Sequence, residues 1–209
     1  MIALIKKILD QFLEKRNSKR LTNLVGQLGE DYRFYQGSNI ELSYGSVKND
    51  ISIGKRYWHR GVFSSQHGGK IKVGNYSLLG SKSRVGAVNS VVIGDYVSIA
   101  PNVTIMDNNN HPVQSDDRKI YQAAYSGHEY RSWKYSVSKP IIIGNNVWIG
   151  ENARINKGVT IGDNSIVAAN AVVTKDVPKN SIAAGNPARI VKTDIDQLPR
   201  FFDYEINGK

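Results

Sequence analysis

Cysteine is absent from the 209 residues, so neither a disulfide framework nor a thiolate metal site can be built, and no acyl thioester can form on the protein itself. Long apolar runs are also absent. No stretch of about 18 residues is free enough of polar groups to cross a bilayer, and the N-terminus lacks the unbroken apolar core and small-residue cleavage site of a secretory signal. The expected compartment is a reducing cytoplasm, with the inner face of the membrane as an alternative. Acidic residues are scarce, 18 against 28 lysines and arginines, for a formal charge of +10 that attracts anionic partners. Much of that excess lies in "KKILDQFLEKRNSKR", Lys6 to Arg20, with no helix-turn-helix, zinc finger or aromatic RNA-binding signature, so nucleic acid is not an expected partner.

What is present is a period of six. From Ile143 the chain reads "IGNNVW", "IGENAR", "INKGVT", "IGDNSI", "VAANAV", "VTKDVP". The first residue is always aliphatic, the fifth is small or apolar, and the third and fourth often carry Asn, Asp or Gly, which tolerate turn geometry. Apolar residues at a strict period of six make no stripe on a helix, and hairpins require two-fold alternation with more variable spacing. If three hexads close a triangular coil, residues eighteen apart stack, Ile143 on Ile161 and Ile149 on Val167, at the inter-strand spacing of about 4.8 Å. The pattern predicts a parallel β-helix. Weaker hexads at Val73, Leu79, Val85, Ile93 and Ile99, with worn ones at Ile40 and Ile53, extend it upstream to about Tyr35 and downstream to Ala184.

The expected organisation is an N-terminal amphipathic helix and lead-in over 1–34, a β-helix over 35–190 with an inserted loop at 106–139, and a tail over 191–209 that caps the open end and includes a short helix. Ile2, Ile5, Leu9, Phe12 and Leu13 follow helical spacing with lysines between them. That helix either packs on the solenoid or a neighbouring subunit, the favoured reading, or lies on an anionic membrane surface. The loop is polar but rich in tyrosine and holds Trp133, which argues for order and for function.

The run "IGNNVWIGENARINKGVTIGDNSIVAANAVVTKDVPKNSIAAGNPARIV" resembles the bacterial hexapeptide-repeat acyltransferases, in particular those that O-acetylate sugars, polysaccharides and xenobiotics. The resemblance implies an all-β fold, a left-handed parallel β-helix of hexapeptide repeats with a long protruding loop and a short N-terminal helix. It also implies a homotrimer using acetyl-CoA on a sugar or polysaccharide acceptor, with no metal. In enzymes this sequence resembles, an Asn-His pair opening the loop supplies the general base, here His111 in "NNNHPVQSDD". A sugar hydroxyl becomes a competent nucleophile as its proton is removed, and imidazole, with a pKa near 6.5, takes it at neutral pH.

Asn89, Asp107, Asp116 and Asp117 are candidates to orient that imidazole, Asn89 because it occupies an inward fifth position and must find a partner there. By resemblance Trp148 lines the acceptor or pantetheine groove, and Gly150, Ala168, Lys175, Asn186, Pro187 and Arg189 bind the rest of the coenzyme. His128, Tyr130 and Trp133 are expected to contact acceptor, aromatic rings being suited to stacking on sugars. Rival readings are an N-acetyltransferase of a nucleotide-linked amino sugar, a xenobiotic O-acetyltransferase, a zinc site of three histidines like that of β-helical carbonic anhydrases, and a non-catalytic scaffold.

Overall fold

The computed structural model describes residues 2–202, and within the first helix it omits the side chains of residues 2–5 and 7. The chain winds into a left-handed triangular prism of three parallel walls, with six strands in the first wall, eight in the second and six in the third. The stacking read from the hexads is present: Ile143 pairs with Ile161 and Ile149 with Val167. The prism is solid. Ile51, Ile71, Val91, Ile141 and Ile161 fill it from the first wall, and Leu79, Ile99, Ile149 and Val167 from the second, all essentially inaccessible. Each aliphatic side chain so buried contributes roughly 1.5–3 kcal/mol.

The corner between first and second walls explains the polar letters of the hexad. Its glycines stand where consecutive coils nearly touch: a Cβ on Gly94 would lie 2.7 Å from the carbonyl carbon of Gly144 in the next coil. The third-position Asn or Asp then reaches back one coil. Lys55 N–H donates to Asn75 Oδ1 (3.0 Å), Asn75 N–H to Asp95 Oδ1 (2.6 Å), Asp95 N–H to Asn145 Oδ1 (2.9 Å) and Asn145 N–H to Asp163 Oδ1 (2.7 Å). Fourth-position residues Tyr76, Tyr96, Asn146 and Asn164 adopt positive φ, which completes the turn.

Three boundaries differ from the sequence expectation. The first helix, α1 (Ile2–Thr22), is longer than the apolar spacing suggests. Its last turns plug the N-terminal end of the prism, with Leu21 and Val25 in the core. The first strand, Gln27–Leu28, pairs with Ser52–Ile53, so the coil begins before Tyr35; two residues are too few to display a hexad. At the other end, Ile182–Gly185 and Ala188–Lys192 form an antiparallel hairpin that extends the second wall, followed by a single 3-10 turn at Ile195–Gln197. Residues 203–209 of the expected tail lie outside the described residues.

Upstream coils step by twenty residues or more, Gln27 pairing with Ser52, Ile51 with Ile71 and Ile71 with Val91, whereas Ile142 pairs with Thr160 eighteen residues on. The extra residues sit at the third corner, between third and first walls. There also the long loop leaves: Val91 pairs directly with Ile141, as if the intervening fifty residues were one coil.

Candidate active site

The loop leaves and rejoins the prism at one point. Asp107 N–H donates to Gly86 O (3.2 Å), Lys139 N–H donates to Asp107 O (2.8 Å), and Asn108 bridges antiparallel to Ser138. The buried Asp107 carboxylate accepts from the amides of Val88 (3.0 Å) and Asn89 (2.7 Å) and from Asn108 Nδ2 (2.9 Å). Burial pushes its pKa up, and those donors pull the other way. Its lone pairs are committed to closing the neck, so Asp107 is a staple and does not orient the imidazole.

Asn89 is corrected as well. The hexad frame placed it inward, but the turn after Arg84–Ala87 carries it to the third corner, exposed, with only its backbone engaged, to Asp107 and Lys70. Neither residue hydrogen-bonds His111.

His111 lies exposed just past the neck, its ring edge-on to Tyr121 at 4.5 Å between centroids. Tyr121 belongs to α2 (Ser115–Ala123), a helix capped by Gln114, whose Oε1 accepts from Asp116 N–H (2.5 Å) and Asp117 N–H (2.8 Å). The two aspartates thus belong to the first turn of that helix, where negative charge is favoured, and Asp116 pairs with Lys119 (3.0 Å). Arg131 covers Tyr121 from another side, 4.9 Å from its centroid. Next to His111 a cavity of about 220 Å3 is lined by Pro112, Asp117, Ile120, Tyr121, Tyr130 and Tyr135. The sequence shows a tyrosine-rich loop without linking any one ring to the imidazole; the Gln-Ser-Asp-Asp start of a helix was the available signal for Tyr121.

The other loop residues expected to meet acceptor divide. Tyr130 lines this cavity, edge-on to Tyr135. His128 Nδ1 accepts from Tyr130 N–H (3.1 Å), capping a single turn at Glu129–Arg131. Trp133 packs inward on the prism: a Cβ on Gly86 would come within 2.9 Å of its indole, and its backbone amide donates to Gln66 Oε1 (2.9 Å). Beside it His67 Nε2 meets the buried Ser132 hydroxyl (2.8 Å) and its ring stacks on Tyr44, whose hydroxyl donates to His128 O (3.2 Å). Burial and nearby Lys134 lower the His67 pKa, against the pull of Glu129. Of the expected acceptor contacts, His128 and Trp133 thus help hold the loop to the prism and do not line this cavity.

The coenzyme candidates divide by corner. Trp148, 54% exposed on the outer face of the second wall, stands over a groove of about 490 Å3 whose floor includes Ala100, Pro101, Gly150, Ile166 and Ala168. A Cβ on Gly150 would lie 2.5 Å from Ala169 N, so the floor stays flat because it is glycine. Asn186 and Pro187, joined by a cis peptide, turn the terminal hairpin on this same wall, and Arg189 follows, exposed, with its guanidinium on the carbonyl of Ala188 (3.0 Å). Lys175 is different. It follows the third-wall strand Val172–Val173, at the third corner, and does not line the groove. His111 also belongs to the third corner, and the groove to the second, so within one chain the imidazole and the groove occupy different corners of a solid prism.

Among the described residues no three His, Asp or Glu side chains gather at metal-binding separation. His59 is a core residue. Asn39 O can only accept, so Nε2–H donates to it (3.1 Å) and Nδ1 accepts from the Tyr57 hydroxyl (3.0 Å), while burial lowers the pKa to about 4.

Residues 140–175 match the family described as bacterial transferase hexapeptide (six repeats). The chain is similar to the galactoside O-acetyltransferase of Escherichia coli K12, 39% identical over 97% of this chain and 93% of the relative. It is similar to a polysialic acid O-acetyltransferase of Escherichia coli O1:K1, 39% identical over 69% of this chain and 43% of that protein. A solved galactoside acetyltransferase in complex with coenzyme A superposes with a TM-score of 0.58 at 29% identity, covering 98% of this chain and 88% of that one. An N-acyltransferase from Bacillus cereus superposes with a TM-score of 0.64 at 21% identity over 86% of this chain and 88% of that chain, a likeness of fold.

Proposed function

Because the chain belongs to the bacterial hexapeptide-repeat acyltransferases, we propose that it transfers acetyl from acetyl-CoA to a hydroxyl of a sugar, in a surface polysaccharide or its precursor, at sites formed between copies of a homotrimer. The observation that carries this reading is the placement of His111 and the Trp148 groove on separate corners of a prism with a filled interior. Among the described residues the prism interior is filled by aliphatic side chains, so chemistry belongs on the outer surface. One copy's second corner against the neighbour's third corner joins a groove to an imidazole, and cyclic closure with three copies repeats that contact without a free edge.

In that site the pantetheine arm lies along Trp148, Gly150 and Ala168, and the hairpin with Asn186, Pro187 and Arg189 meets the nucleotide end. The sugar enters beside Tyr121, Tyr130 and Tyr135, where rings offer apolar faces for its C–H groups. His111 accepts the hydroxyl proton as the oxygen attacks the thioester carbonyl. The tetrahedral oxyanion collapses by breaking the C–S bond, and the imidazolium returns its proton to the departing thiolate. Tyr121 holds the imidazole edge-on throughout, the part first assigned to Asn89 or Asp107.

The kinship with a galactoside and a polysialic acid O-acetyltransferase supports a hydroxyl acceptor on a glycan. The test is thiol release from acetyl-CoA with a panel of glycans. His111→Ala is expected to lower kcat by about 10²- to 10⁴-fold with an unchanged melting temperature. Full activity in that variant rejects the mechanism.

A further inference from the structure

We propose that α1 docks the protein onto anionic lipid bilayers through the face it turns away from the prism. At about 100° per residue, Ile8, Leu9 and Phe12 fall in the same sector of the helix as Lys15, Arg16 and Lys19, within about 120° of arc, while Arg20 at its edge turns to Asn39 Oδ1 of the prism (2.9 Å). That sector is apolar over the first half of the helix and cationic over the second. All six outward side chains are exposed, Ile8 to 58%, Leu9 to 53% and Phe12 to 60%.

The opposite face is the one that holds the prism. Asn17 Nδ2 donates to the carbonyls of Tyr35 (3.3 Å) and Ser38 (3.1 Å), Leu21 is fully buried, and Glu14 pairs with Arg33 (2.7 Å). The acidic residues of the helix, Asp10 and Glu14, lie on that inner side, so no negative charge interrupts the outward sector. The three exposed apolar side chains therefore lie on the side of the helix that does not meet the prism. They sit at the free end of a helix already anchored by its other face.

The occupant is argued from charge. A second copy meeting this face through its own would bring like charges together, whereas phosphate headgroups neutralise Lys15, Arg16 and Lys19 while Ile8, Leu9 and Phe12 enter the acyl boundary. Among the described residues no helix is long and apolar enough to cross a membrane, so the contact lies in the plane of the surface. The inference is independent of the acetyl-transfer reading and places the protein where lipid-carried glycans are assembled.

The experiment is vesicle co-sedimentation of the full chain with phosphatidylcholine alone and with added phosphatidylglycerol. Binding to the anionic vesicles is expected, weakening as salt rises. Changing Lys15, Arg16 and Lys19 together to Gln is expected to weaken it roughly 100-fold, and Phe12→Ser to weaken it in both low and high salt. Melting temperatures and acetyl transfer to a soluble acceptor are expected to stay as in the parent. Equal partition onto both kinds of vesicle, or none onto either, overturns the proposal. So does a Phe12→Ser variant that changes the mass in solution while vesicle binding is absent, because the face is then an interface between copies.

Discussion

Upstream and downstream of the loop the prism has the same three walls but not the same contents. From Ile141 onward the coils step by eighteen, and the last by sixteen, and the buried side chains are Ile, Val and Ala with Ser165 and Ser181. Before the loop they step by twenty to twenty-five, and the interior admits Phe34, Tyr57, His59 and Phe63, whose rings meet around the buried imidazole at 4.5 to 5.8 Å. The extra residues of the upstream coils appear at the third corner, and they are the ones the loop uses. Gln66 and His67 receive Trp133 and Ser132, and the amides of Val88 and Asn89 receive Asp107. The regular half supplies a flat outer groove, and the irregular half supplies turns on which something else can be seated.

The sharpest way to break the comparison is in the regular half. Ile149 is stacked between Ile99 and Val167 and is fully buried. Ile149→Ala is expected to cost about 2–5 kcal/mol, seen as a fall in melting temperature; a loss below about 1 kcal/mol, smaller than an Ile→Val change at many buried sites, would show that the column collapses freely.

Next in size is an effect of acid on the irregular half. His59 is held neutral with its pKa lowered from 6.5 to about 4, so its contribution is fully present above pH 6.5 and is lost as pH falls toward 4, on the order of 3 kcal/mol in all. His59→Leu, the residue found one coil on at Leu79, is expected to flatten that part of the stability profile. Parallel profiles for parent and variant would remove His59 from the account.

The smallest free-energy effect is expected where the two halves meet. Trp133→Ala loosens the loop on Gly86 and Met106 without opening the prism. It is expected to lower kcat/KM roughly 10- to 100-fold through misplacement of His111, with a smaller change in melting temperature than Ile149→Ala. Unchanged kinetics would mean that the loop is held by its neck alone.

The walls were legible in the sequence because a period of six reports one thing, which side chain faces inward, and it does so locally. Ile143 over Ile161 follows from counting. The site was legible only in parts. His111, Trp148, Gly150 and Ala168 stand in strongly patterned segments, and the structure places the last three around one groove. Asn89 was misplaced because a longer third-corner turn interrupts the frame, and Asp107 because its partners are amides in the preceding coil, which carry no side-chain signature. The length of α1 was hidden for a related reason: its inner face is fixed by Asn17, Glu14 and Leu21 through contacts that only the folded end of the prism creates.

The neck of the loop is one coil high, with exit at Asp107 and return at Lys139 on the same rung. A segment inserted in this way is a cassette. Closing a longer excursion costs only slowly more entropy, and the rungs on either side pair as though nothing lay between them. On the proposed function, acceptor choice can therefore drift by exchange of the cassette, while the groove beside Trp148, built from other residues on another corner, is inherited unchanged.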